Sequence, residues 1–112
     1  MTTLISKQCT EFSKDDSPLE KDRKLELLQQ LEPQWQLNEQ SKNISFTFKF
    51  KNYYQTMAFV NVVAQIAHQQ NHHPDLSIKY NQCAITYSTH SVGGLSINDF
   101  ICAAKINAAQ KL

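Results

Sequence analysis

From residue 44 to residue 50 every second side chain is large and apolar: Ile44, Phe46, Phe48 and Phe50, separated by Ser45, Thr47 and Lys49. Side chains alternate across a strand, so this segment predicts a strand with one apolar and one wet face. Such a strand is stable only where something covers its apolar side, which favours a sheet backed by helices. The 112 residues are enough for one domain with a real core and too few for two.

The rest of the chain supplies that cover. Trp35 and Leu37 alternate with Gln36 and Asn38 ahead of a polar turn at residues 40–43, which predicts an antiparallel hairpin with the Phe-rich strand. Ser17-Pro18-Leu19-Glu20 has the form of a capping box with proline at the first helical position. Leu25, Leu28 and Leu31 follow at helical spacing, and Pro33 stops the run. Asn52 is placed to cap a long helix reaching about residue 70. Its apolar residues, Tyr53 and Tyr54 through Ile66, span more circumference than packing on one sheet requires, so part of that face is expected to bury against another subunit. Pro74 pushes its predecessor out of the helical region and ends the helix. Strands are predicted at residues 77–80 and 83–89 around Asn81-Gln82, with Cys83, Ile85 and Tyr87 on one face and Tyr80 in the core. After Gly93-Gly94, Ser96 caps a last helix, Asp99 stands at its third position, and Leu95 and Phe100 form a staple.

The expected fold is therefore α+β: a four-stranded antiparallel sheet with three helices packed on one face, in the order α-β-β-α-β-β-α. Residues 1–16 read as a loosely ordered N-terminal arm and 17–112 as a single domain.

Composition narrows the function. Eleven Lys+Arg against ten Asp+Glu leave a formal charge of +1, without the basic excess of a nucleic-acid binder. Cys9, Cys83 and Cys102 are odd in number and form no CxxC pair, which disfavours a disulfide framework or thiolate zinc site and suits a reducing compartment. The start of the chain lacks signal-peptide character, and the most apolar window, residues 57–67, is too short to span a bilayer. A soluble, cytoplasmic protein is expected, with no nucleic-acid or membrane partner. Residues 1–51 carry 8 basic and 8 acidic side chains, whereas 52–112 carry only Lys79, Lys105, Lys111, Asp75 and Asp99. All four histidines, His68, His72, His73 and His90, lie in that charge-poor half.

Three chemistries suit those histidines. His68 and His72 stand at i, i+4, a spacing open to zinc, with His90 as a third ligand. No acidic or thiolate ligand lies nearby in sequence, however, and Gln69 stands where HExxH needs its glutamate. Histidines also end helices and strands simply because they can donate to free carbonyls, and His68 lies on the polar edge of its helix with Asn61 and Gln65. Finally, imidazoles that titrate near neutrality can hold a proton donor and an acceptor together, at a pocket where a helix end and a strand end converge. Asp99 likewise reads either as half of a capping box or as a site residue.

The pattern His68-x3-His72-His73-Pro74-x5-Tyr80-x9-His90-x8-Asp99 resembles the signature of the pterin-4a-carbinolamine dehydratases. The resemblance extends over about residues 18–108. It implies a metal-free lyase without cofactor that dehydrates a 4a-hydroxytetrahydropterin to a quinonoid dihydropterin, in support of an aromatic amino-acid hydroxylase. On this resemblance His72 and His90 transfer protons and His73 holds the substrate. Asn71, Pro74, Ser88, Thr89, Ser91 and Asp99 bind the pterin, and His68 modulates the site. The family forms dimers and tetramers, which implies a homodimer or homotetramer here. Three positions depart from the family: His68 replaces a common glutamate, Asn71 a common aspartate and Leu76 a common aromatic. A scaffold role, or action on a different pterin, is the alternative the same fold allows.

Overall fold

The Phe-rich segment is strand β2 (Asn43–Lys49), the second in a sheet whose spatial order is β1-β2-β4-β3, antiparallel throughout. The computed structural model describes residues 3–110. Along these residues run helix α1 (Lys21–Leu28), strands β1 (Gln36–Asn38) and β2, helix α2 (Tyr53–Gln70), strands β3 (Asp75–Lys79) and β4 (Gln82–Tyr87), and helix α3 (Ile97–Gln110). This is the predicted order and fold class. Among the described residues no helix is long and apolar enough to cross a membrane.

Register explains the core. Ile44 pairs with Tyr87, Phe46 with Ile85 and Phe48 with Cys83, so the apolar residues of the two central strands share one face. That face lies under α2 and α3, where Ile44, Phe48, Cys83, Ile85 and Tyr87 are buried with Phe59, Val63, Phe100 and Ile101. Each large side chain so buried contributes about 1.5–3 kcal/mol. Trp35 meets Phe46 and Phe48 edge-on, and its indole N–H donates to Asn107 Oδ1 at 2.8 Å, so the buried ring carries no unpaired donor. Asn52 caps α2 as expected, accepting from the Gln55 N–H at 2.9 Å.

Several local expectations change. Helix α1 begins at Lys21 without a side-chain cap. The preceding segment is instead held to the loop before α3 by the Leu19 N–H, which donates to the Leu95 carbonyl at 2.8 Å. A Cβ on Gly94 would stand 3.0 Å from the Pro18 Cβ, so glycine is what lets the two segments meet. The buried face of α1 is turned so that Leu27, rather than Leu25, enters the core. Strand β3 starts directly after Pro74, and its hairpin turn is Tyr80-Asn81. Tyr80 is consequently 65% exposed and stacks on Tyr53 instead of entering the core.

Residues 3–10 depart most from the arm read in the sequence. Leu4 is buried in the core, the Ile5 carbonyl accepts from Lys105 Nζ, and Cys9 Sγ lies 3.6 Å from Cys102 Sγ. A polar segment with one well-placed leucine docks because α3 offers both an apolar seat and side-chain donors.

Candidate active site

Helix α2 ends on Asn71, whose backbone is left-handed (φ 51°, ψ 44°). Asparagine enters that region more readily than other residues bearing a Cβ. The Asn71 N–H donates to His68 O at 3.2 Å and the His72 N–H to Ala67 O at 3.1 Å, satisfying carbonyls that the helix end would leave free. The helix thus stops before Pro74 acts, and His72 lies beside the start of α3.

A second turn brings the other half. After β4 the chain forms an antiparallel bridge between Thr89 and Gly94, closed through a 3-10 turn at His90–Val92 and by Gly93 at φ +68°. This loop buries Thr89 next to Ser96, the N-cap of α3. The Asn98 N–H donates to Ser96 Oγ at 3.2 Å, and the Ser96 N–H donates back to Asp99 Oδ2 at 2.9 Å, so the capping box is formed.

Asp99 does more than cap. Its side chain is fully buried, and Oδ2 also accepts from the Thr89 hydroxyl at 2.8 Å, while Oδ1 lies 2.6 Å from His72 Nε2. Thr89 has one hydroxyl hydrogen, which goes to Asp99. The 2.7 Å contact between Thr89 Oγ1 and Ser96 Oγ is therefore donated by Ser96. A carboxylate only accepts, so His72 holds its hydrogen on Nε2 and leaves Nδ1 to exchange protons. Burial pulls the His72 pKa down, but the hydrogen bond and charge of Asp99 outweigh it, and the group titrates above its ordinary value. The ring also stacks on Tyr87 at 5.3 Å, which holds its plane. Burial pushes the Tyr87 phenol well above the usual range, so it stays protonated.

His72 opens into a cleft of about 300 Å³, shared with Gln70, Asn71, Thr89, Ser91 and Asn98 and with Cys9, Thr10, Glu11 and Phe12 of the N-terminal segment. Of the residues singled out in the sequence, Asn71, His72, Thr89 and Ser91 line this cleft and Asp99 lies beneath His72. His73, His90 and Ser88 are exposed, Pro74 is half-buried, and His68 is exposed on α2; none of the five lines it. Residues 9–12 and Asn98 were not anticipated. They reach the site through pairings across some 88 residues of chain, for which no local pattern exists. A larger groove, of about 750 Å³ beside Leu4, Leu31 and Asn107, has Glu32 as the only titratable lining residue among the described residues, and they offer no acid–base pair there. Among the described residues no three His, Cys, Asp or Glu side chains are grouped to hold a metal ion.

Residues 17–109 match the family model described as pterin 4 alpha carbinolamine dehydratase. The chain belongs to the pterin 4 alpha carbinolamine dehydratase family. It is 54% identical over 104 residues to a Nitrosomonas eutropha protein named as a candidate pterin-4-alpha-carbinolamine dehydratase, covering 93% of this chain and 90% of that one. A Stenotrophomonas maltophilia protein of the same name is 50% identical over 105 residues, covering 94% and 90%. The fold is similar to the crystal structure of a transcriptional coactivator/pterin dehydratase from Brucella melitensis, with a TM-score of 0.77 and 32% identity over 82% of this chain and 97% of that one. The segment ahead of residue 17, which walls one side of the cleft, lies outside the family match.

Proposed function

We propose that this member of the pterin dehydratase family dehydrates a 4a-hydroxytetrahydropterin by histidine acid–base catalysis without a metal. The observation that carries the reading is the His72–Asp99 pair at the floor of the cleft, 2.6 Å apart. In the reaction a proton reaches the 4a-hydroxyl, the C4a–O bond breaks and water leaves. The proton on N5 is lost as the C4a–N5 double bond forms, giving the quinonoid dihydropterin. His72 suits the first transfer: Asp99 favours its imidazolium, which donates from Nδ1. The family resemblance makes His90 the second proton-transfer residue, so with His72 as the donor it takes the N5 proton; it is exposed and lies between the lining residues Thr89 and Ser91. On the same resemblance His73 steadies the ring and Asn71, Thr89 and Ser91, which line the cleft, surround it, with Pro74 following His73 and Ser88 preceding Thr89 in the chain. Supply of substrate by an aromatic amino-acid hydroxylase, a cytoplasmic location and a homodimer or homotetramer belong to the same reading. The exposed Tyr53, Tyr54 and Val62 on α2 suit the oligomer.

The test is carbinolamine loss followed by absorbance, with substrate made in situ by a phenylalanine hydroxylase, in EDTA. Wild type is expected to accelerate it. His72→Ala and His90→Ala are each expected to lose about two to four orders of magnitude, the usual worth of a positioned acid or base. Wild-type turnover in both variants would overturn the roles, and loss of activity in EDTA would overturn the metal-free reading. A scaffold role has one specific support, the coactivator description of the Brucella relative. A stable protein partner together with no pterin turnover would favour it.

A further inference from the structure

We propose that the N-terminal segment supplies the ligand-recognising wall of the cleft: Phe12 stacks on the heterocycle and Glu11 accepts from its 2-amino and N3–H edge. This role rests on the pterin dehydratase reading of the site. Among the ten described residues that line the cleft, Phe12 is the only phenyl ring and Glu11 the only carboxylate. The other lining side chains are mostly amides, hydroxyls and an imidazole, which can hydrogen-bond but give a flat bicyclic ring little to lie on. Phe12 is half-buried, and it belongs to none of the aromatic pairs among the described residues.

The segment is held firmly enough for recognition. The Thr10 N–H donates to Asn98 Oδ1 at 3.1 Å, and the Thr10 carbonyl accepts from Asn98 Nδ2 at 2.7 Å, so one side-chain amide pairs with the backbone as a neighbouring strand would. The Cys9 N–H donates to Gln70 Oε1 at 2.8 Å, tying the segment to the last residue of α2, two before His72. On the far side, a turn closed by the Ser13 N–H on Asp16 Oδ2 at 2.8 Å leads to Leu19, whose N–H is held by the Leu95 carbonyl. Glu11 and Phe12 are thus strung between fixed points, which lowers the ordering cost of binding. The chemistry fits a 2-amino-4-oxopteridine. Its 2-amino and N3–H hydrogens point the same way at about the spacing of two carboxylate oxygens, which suits a bidentate, charge-assisted contact. That edge lies away from the C4a–N5 bond, leaving the reacting corner for His72.

The experiment compares fluorescence titrations of pterin and lumazine, the latter carrying oxygen in place of the 2-amino group, on wild type, Glu11→Gln, Phe12→Leu and Phe12→Ala. Wild type is expected to prefer pterin. Glu11→Gln should shrink that preference about tenfold, the scale of one charged hydrogen bond. The Phe12 variants should weaken both ligands about tenfold while leaving their ratio unchanged, as loss of a stacking face does. Thermal midpoints within a few degrees of wild type would show the segment still docked. Wild-type affinities and ratio in all three variants would overturn this assignment while leaving the dehydratase reading intact. Failure of wild type to bind pterin or to accelerate dehydration would overturn both.

Discussion

Replacing Asp99 by asparagine keeps the shape of the side chain and removes its charge, and the surrounding donors dictate how the new amide must sit. The Ser96 N–H, 2.9 Å from Oδ2, can only donate, so the asparagine oxygen must take the Oδ2 position. Its NH2 group then occupies the Oδ1 position, facing His72 Nε2 at the present 2.6 Å contact. Two donors cannot face each other, so His72 moves its hydrogen to Nδ1 and loses the tautomer that leaves this atom free. An acid or base held in the wrong tautomer costs about 10²–10⁴ in rate. The loss of one charge-assisted hydrogen bond should cost about 1–3 kcal/mol of stability.

The pH dependence carries a sign. With the Asp99 charge gone, burial, the largest influence on His72, loses its main opposition, so its pKa falls from its raised value. The alkaline limb of the rate profile, where the donating imidazolium is lost, should therefore move to lower pH. For stability, a histidine whose folded pKa is raised contributes fully below its unfolded value, about 6.5, and the contribution is lost as pH rises through the folded pKa. The stability gap between wild type and Asp99→Asn should be largest in mildly acidic buffer and narrow as pH rises through that value. Turnover from absorbance and urea midpoints across pH test both halves. Wild-type turnover with an unmoved alkaline limb would refute the reasoning.

Thr89→Val removes the hydroxyl between Asp99 and Ser96 but leaves the His72 contact in place, so turnover should fall by about tenfold at most. Stability should fall by about 1–2 kcal/mol, and a rate loss as large as that of Asp99→Asn would contradict the division of labour. Leu4→Ala should lower urea stability by about 2–4 kcal/mol because Leu4 is a core residue, and an unchanged midpoint would show that it is not. Cys9 should be the first thiol to react with a disulfide reagent. The hydrogen bond from Cys102 holds its thiol below the ordinary range, and Cys102 is buried and pushed upward by that same contact. Mass spectrometry locating the first label on Cys102 or Cys83 would contradict this.

Period-two alternation in residues 44–50, the cap at Asn52 and the Ser96–Asp99 box are local, and their elements appear in the structure where the sequence placed them. The box at Ser17 did not form: the helix starts later, at Lys21, and the residues before it are held by the Leu19–Leu95 backbone bond, a contact the local sequence does not encode. Tyr80 failed for a related reason, since the hairpin turn fell on it and lifted it from the core.

The elements, their order and the histidine pattern that marks the family were all legible along the chain. Periodicity, capping and spacing are properties of neighbouring residues, so no knowledge of packing is needed to read them. The reach of Asp99 back over 27 residues to His72, while it still caps its own helix, came from the folded arrangement alone. So did the wall that residues 9–12 form along the cleft, because Asn98 binds Thr10 from 88 positions away. Contacts of that kind depend on how helices and strands pack, and packing is set by the whole core at once.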